Sequence, residues 1–321
     1  MTENLAIIIE DPDTFSDICG VNDSNLKVLE NLLEVSVFSR GNELHVASSD
    51  DRKSRIFRQI IDQLKDHSKL GHIPNPDLIQ AVIHSVRNGE SKEIDLLKNY
   101  TLTVPQRNIT VFPKSINQAY YIKKLAENDI VFGIGPAGTG KTYIAVANAV
   151  KRILSKETHK IVLTRPVVEA GESLGFLPGD FTQKISPYLR PLYDALDTFL
   201  SPEMISRMEE NRIIEIVPLA YMRGRSLSKS LIILDEAQNT TKAQMKMFLT
   251  RIGQDSTAVI TGDVTQIDLP SKKQSGLLHV MKLLRSVEGI HFCFFDTSDV
   301  VRNPLVKKIV QAYENEENNN K

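Results

Sequence analysis

The 321-residue sequence contains no tryptophan, and all aromatic residues together make up only 6% of it. A surface that holds nucleic acid mainly by stacking bases on aromatic rings is therefore not expected. Cysteine is scarce as well: Cys19 and Cys293 lie far apart, and neither has a Cys or His partner at metal-ligand spacing. That excludes a disulfide framework and argues against a zinc site, so both thiols are read as small core residues in a reducing compartment. Neither sign of charge is in excess, with 39 Lys and Arg against 40 Asp and Glu. Contact with a polyanion must then come from a local basic patch. No apolar run approaches the roughly 20 residues of a membrane helix. Met1 to Asp13 is too acidic for the n-region of a secretory signal, which leads to the expectation of a cytoplasmic protein without a membrane partner.

What is present is an ordinary globular composition, 41% hydrophobic and 25% charged. The length suggests two domains. Residues 1–98 read as a small α/β module with connecting helices. Leu5 to Ile9 is strand-like, Asn25 to Leu33 helical, and Val35, Val37, Leu44 and Val46 alternate with polar residues about a turn at Arg40 to Asn42. Ile56, Ile60 and Leu64 then recur at helical spacing within Arg55 to Leu70. Residues 99–128 read as an extended linker followed by a helix, and residues 314–321 as a polar, disordered tail. From residue 129 to 313 short apolar runs alternate with amphipathic helices, the pattern of a mainly parallel α/β domain. The strand candidates are Ile130 to Ile134, Lys160 to Thr164, Ile213 to Pro218, Leu231 to Leu234, Ala258 to Thr261 and His291 to Phe295. Each is apolar throughout, as a strand covered on both faces must be.

Directly after the first of these comes Gly135-Pro136-Ala137-Gly138-Thr139-Gly140-Lys141-Thr142, which matches G-x-x-x-x-G-K-[ST] and opens a helix. Glycines there let successive N–H groups and the helix N-terminus face phosphate oxygens. Lys141 is placed to reach the β- and γ-phosphates and Thr142 to hold Mg²⁺. Leu231 to Leu234 ends in Asp235-Glu236. Asp235 reads as the second Mg²⁺ residue and Glu236 as the base that orients and deprotonates an attacking water, a role a hydrolase needs and a kinase does not. Gln266, in Thr261-Gly262-Asp263-Val264-Thr265-Gln266, reads as a γ-phosphate sensor at a neighbouring strand end.

These blocks, with Asn117-Gln118, Arg165 to Glu172, Gly175 to Asp180, Tyr221 to Arg225 and Asp299 to Leu305, resemble the PhoH-like ATPases in order and without large gaps. The resemblance covers Thr110 to Tyr313 and implies a core similar to the first RecA-like domain of superfamily 1 helicases. It implies that Gln118 reads the adenine edge of ATP, that RNA is a partner, and that a small endoribonuclease acting in ribosomal RNA processing is a possible associate. The N-terminal module resembles a KH domain. Its Gly20-Val21-Asn22-Asp23 carries an acid where a nucleotide-clamping loop is repelled by phosphate, while Arg52, Lys53, Arg55 and Arg58 form either a basic strip or a solvated helix face.

From Gly135 to the end there are 187 residues, room for one RecA-like domain. A two-domain motor closes its site with arginines from the second domain, worth roughly 10³ to 10⁵ in rate in related phosphoryl transfer. The expectation is therefore a homo-oligomer, a ring or hexamer, in which a neighbouring subunit supplies the arginine. Arg302 is the first candidate for that finger, with a local pairing as its alternative. Arg223 and Arg225 flank a glycine and suit either RNA or ATP. Arg165 suits RNA or an ion pair with Glu169 or Glu172. The leading reading is Mg²⁺-dependent ATP hydrolysis coupled to RNA remodelling. An ATP-switched RNA-binding scaffold and a P-loop kinase are the rivals.

Overall fold

The computed structural model describes residues 4–48, 50–69, 72–88, 100–105, 109–167 and 181–300. Arg302, Glu169, Glu172 and the tail lie outside the described residues. The chain divides into two compact units, one of residues 1–101 with 112–119, the other of residues 102–111 with 120–321. The 99–128 stretch read as a linker is thus shared between them.

The first unit holds β1 (Asn4–Ile8), α1 (Pro12–Cys19), α2 (Ser24–Leu33), β2 (Ser36–Arg40), β3 (Glu43–Ala47), α3 (Asp51–Lys69) and α4 (Pro76–Asn88). The strands form an antiparallel sheet in the order β1-β3-β2, with Leu5 opposite Val46 and Val46 opposite Val37. Because side chains alternate across a strand, one sheet face carries Ile7, Val37, Leu44 and Val46 into a core with Leu29, Phe57, Ile60 and Leu64. Helix α1 has too few residues for its period to stand out in the sequence. It forms because the Asp11 carboxylate accepts the Thr14 N–H at 3.0 Å and Pro12 sits at the first helical position.

In the second unit, β4 (Leu102–Val104) and β5 (Ile109–Val111) form a hairpin where only extended chain was expected. The division between units falls within α5 (Ile116–Glu127). A six-stranded sheet follows, built from β6 (Ile130–Ile134), β7 (Lys160–Arg165), β8 (Ile214–Pro218), β9 (Ser230–Leu234), β10 (Thr257–Gly262) and β11 (Ile290–Phe294). Its order is β11-β6-β10-β9-β7-β8 and every pairing is parallel. The six expected strands are these six, each within one or two residues. Helices α6 (Lys141–Leu154), α7 (Phe181–Asp197), α8 (Pro202–Glu210), α9 (Lys242–Leu249) and α10 (Gly276–Leu283) complete the unit. Ile232, Leu234, Val162 and Ile260 line one sheet face and pack with Met245, Phe248 and Leu277.

Strand order fixes where chemistry can gather. Parallel strands end at one edge, and β10 lies between the strand feeding the glycine-rich loop and the strand feeding Asp235. Ile134 is in register with Gly262, and Ile260 with Leu234. The loops that begin at Gly135, Asp235 and Asp263 therefore meet at the carboxyl edge, where α/β sheets hold their ligands.

Candidate functional site

The glycine-rich loop owes its shape to backbone freedom. Gly135 has φ +153, and a Cβ there would lie 2.4 Å from the Phe295 carbonyl oxygen, so only glycine allows the loop to leave β6 beside β11. Gly138 and Gly140 have φ +83 and +80, and Gly140 is the residue from which α6 starts. The loop encloses Lys141, which is 8% exposed. Its ammonium donates to the carbonyl oxygens of Gly135 at 2.7 Å and Pro136 at 2.6 Å, and to Thr139 Oγ1 at 3.1 Å. Burial pulls its pKa below the usual lysine value, against the opposing pull of Asp263, Asp235 and Glu236.

At the end of β9, Asp235 takes hydrogen bonds on Oδ1 from Thr142 Oγ1 at 2.8 Å and Thr261 Oγ1 at 2.7 Å. A hydroxyl and a carboxylate from two different loops converge there, a hard-oxygen pair of the kind that suits Mg²⁺. Next to it Glu236 has φ +52, unusual for a residue with a side chain, and this left-handed turn aims its carboxylate away from the strand. Two partners hold it: Arg165 Nη2 donates to Oε1 at 3.1 Å and the Gln238 side-chain amide to Oε2. A cavity of about 270 Å³ has Gly138, Lys141, Thr142, Asp235, Glu236 and Gln266 in its lining.

Gln266 does not stand alone at the neighbouring strand end. Its Nε2 donates to Asp263 Oδ2 at 2.9 Å, and the same oxygen receives the Ala137 N–H of the glycine-rich loop at 3.1 Å. Asp263 Oδ1 takes the N–H and hydroxyl of Thr265, at 2.9 and 2.6 Å. Gln238 completes the circuit, accepting the Asp263 N–H at 3.0 Å on Oε1. Asp263, Gln238 and Thr261 were not singled out from the sequence. The signal was present in the position of Asp263 directly after a buried strand and in a glutamine two residues beyond the acidic pair.

The remaining candidates separate. Arg165 pairs with Glu236 and also donates to the Tyr188 carbonyl oxygen at 3.4 Å, while its other expected partners, Glu169 and Glu172, lie outside the described residues. Arg225 places both Nη atoms on Glu215, at 2.8 and 2.7 Å, and Lys160 approaches the same carboxylate at 2.6 Å. Arg223 is exposed and has no side-chain partner among the described residues, and the adjoining Gly224 has φ +77 with open space around it. Gln118 lies in the first unit, in the first turn of α5. It is 4% exposed, and its Oε1 accepts the Lys114 N–H at 2.7 Å.

The Glu215 cluster has a measurable signature. Arg225, with a smaller share from Lys160, holds the Glu215 carboxyl down at about 2 against an ordinary 4.5. Because the folded value is the depressed one, the stabilisation is complete above pH 4.5 and is lost as pH falls from there towards 2. At 1.36 kcal/mol per unit the upper bound is about 3–4 kcal/mol, and solvent screening of this partly exposed group lowers it. Glu215→Gln is expected to lower stability at pH 7 by about 1–3 kcal/mol and to flatten the fall between pH 4.5 and 2, read by denaturant unfolding across that range.

Comparison with known proteins agrees with this geometry. The model of the PhoH-like protein family matches residues 110–314. A PhoH-like protein of Bacillus subtilis is 46% identical over 318 residues, covering 98% of this chain and 99% of the relative. One from Synechocystis is 44% identical over 307 residues, 96% of this chain and 93% of its own. Protein PhoH of Escherichia coli is 33% identical over 300 residues, 93% and 80%. Identity carried along almost the whole length, together with a phosphate loop and acidic strand end in a six-stranded parallel sheet, places the chain in the PhoH family, a P-loop, ATPase-like family.

Proposed function

We propose that this protein hydrolyses ATP with Mg²⁺ and couples hydrolysis to the binding or remodelling of RNA. The observation that supports the coupling best is the Arg165 to Glu236 pair, which joins the end of β7 to the carboxylate lining the phosphate cavity. In this reading the backbone N–H groups of Ala137 to Thr142 and the Lys141 ammonium receive the triphosphate, displacing Asp263 from Ala137. Thr142 and Asp235 would hold Mg²⁺, which when bound offsets charge on the phosphate oxygens. Glu236 accepts the proton of the water whose oxygen attacks the γ-phosphorus, while the bond to the β–γ bridging oxygen breaks and ADP leaves. Gln266, delivered by Asp263, faces the γ-phosphate.

Arg165 has two claims on it, the Glu236 carboxylate and an RNA phosphate. When RNA draws it away, Glu236 is released to act as the base, so RNA raises turnover without touching ATP. Arg223 is the second RNA candidate, and Arg225 acts by holding the loop through Glu215. The function needs an arginine that closes the site, and we assign it to Arg302 of a neighbouring subunit in a ring or hexamer. Gln118 is retained as the adenine-reading candidate.

Phosphate release measured with and without single-stranded RNA tests the reading. The wild type is expected to be stimulated, while Arg165→Ala keeps a basal rate equal to or above the wild type and loses most of the stimulation. Equal stimulation of both proteins would remove the coupling through Arg165, and absence of free phosphate with a phosphorylated acceptor would favour the kinase.

A further inference from the structure

An apolar recess larger than the phosphate-loop cavity lies away from that loop. It is a groove of about 620 Å³ between α9 and α10, whose lining includes Leu249 of α9, Leu283 of α10, Leu284 just after it, and Ile290 at the start of β11. Lys242 and Lys246 stand on its α9 side, and His279 on its α10 side. Leu283 is 61% exposed. A single exposed leucine is ordinary, but one that walls a groove of this size marks a surface that gains by being covered.

We infer that this groove docks an amphipathic helix of a partner protein whose polar edge carries Asp or Glu four residues apart. The ionisable side chains in the lining are Lys242, Lys246 and His279, and no carboxylate is among them. Neither lysine has an ion-pair partner among the described residues. They are spaced i and i+4 along α9, so they lie one above the other on a single stripe. A helix laid along the groove meets that stripe with two carboxylates at the same spacing and fills the apolar floor with residues at i, i+3 and i+7. Helix α9 has eight residues, about 12 Å at 1.5 Å per residue, which sets the contact at about two turns of the partner. Nucleic acid fits worse, because phosphates would satisfy the lysines but leave the apolar floor uncovered.

The docked helix would sit on elements tied to the catalytic loop. Ser275, the cap of α10, donates to the Gln238 carbonyl oxygen at 2.9 Å, and the Gly276 N–H donates to the Thr240 carbonyl oxygen at 2.7 Å. Thr241 caps α9 through a reciprocal pair with Gln244. One groove wall therefore begins six residues after Glu236, and the other is hydrogen-bonded at its start to Gln238 and Thr240.

The test is a binding measurement that does not depend on hydrolysis. A fluorescent peptide of about 14 residues, with Leu at i, i+3 and i+7 and Glu pairs at i, i+4, is titrated with the full chain, beside the same peptide carrying Lys for Glu. The Glu peptide is expected to bind at least about tenfold tighter, the difference shrinking with salt. The double variant Lys242→Glu, Lys246→Glu should reverse the order, and Leu283→Ser should weaken the Glu peptide several-fold. All three substitutions are at exposed positions, so unchanged thermal unfolding is the control. Equal affinity for the two peptides, no response to charge reversal, or no binding of either would overturn the inference. So would self-association of the wild type that the double variant abolishes, since the occupant would then be a second copy of this chain.

Discussion

Glu236→Gln is expected to bind ATP about as tightly as the wild type and to release phosphate about 10² to 10⁴ times more slowly, the range for loss of a positioned general base. That corresponds to about 3–5 kcal/mol of transition-state stabilisation. The substitution keeps the shape of the side chain and its planar end. An amide oxygen can still accept from Arg165 Nη2, while the new NH2 group faces the Gln238 amide donor and that one hydrogen bond is lost. With the Arg165 anchor kept, the left-handed turn at φ +52 and the entry to α9 should survive. What it loses is the ability to take a proton. Single-turnover phosphate release and equilibrium ATP binding on the same preparation separate the two effects. A variant that releases phosphate at the wild-type rate would mean that Glu236 is not the base. A variant that fails to bind would mean that the carboxylate holds the substrate and does not act on the water.

The parts of this protein that were legible in its sequence are those specified by neighbours in the chain. Residues Ile130 to Ile134 could be read as a strand because a strand buried on both faces leaves no polar position to interrupt it. The phosphate loop could be read because its mechanism needs backbone freedom and a cation within eight consecutive residues. Asp235 and Glu236 followed, since an apolar strand that ends in two acids has few other purposes beside such a loop. The Arg165 to Glu236 pair joins residues 71 apart, and the Ala137 to Asp263 contact residues 126 apart. No periodicity encodes either of them. They follow from strand order, which puts β10 between β6 and β9 and β7 beyond β9. Arg165 has Glu169 and Glu172 close by in sequence, so a local reading offers RNA or those two acids and does not reach Glu236. The β4–β5 hairpin was missed for a different reason: three-residue strands are too short for alternation to show. For α1 the capping signal stands in the sequence at Asp11-Pro12, but eight residues give little more than two turns over which a period can show.

Lys141→Ala is expected to weaken ATP binding by about 100-fold or more, or about 2.7 kcal/mol, while leaving AMP binding within a few-fold of the wild type. The contrast between nucleotides is the informative part. In the proposed function Lys141 reaches the β- and γ-phosphates, so a nucleotide without them has little to lose. The fold should tolerate the change because two costs offset each other. Removing a buried ammonium relieves a desolvation penalty, seen in the depressed pKa of Lys141. Against that, the Gly135 and Pro136 carbonyl oxygens and Thr139 Oγ1 lose a donor that now lies within 2.6 to 3.1 Å, a cost of about 1–3 kcal/mol for such groups unless water replaces it. The thermal midpoint should therefore move by only a few degrees, and calorimetric titration with ATP and AMP can be read as binding and not as unfolding. Equal loss for both nucleotides would place Lys141 at the α-phosphate or in the loop's scaffold. Retained ATP affinity would remove it from phosphate recognition and leave the depressed pKa as a property of burial alone.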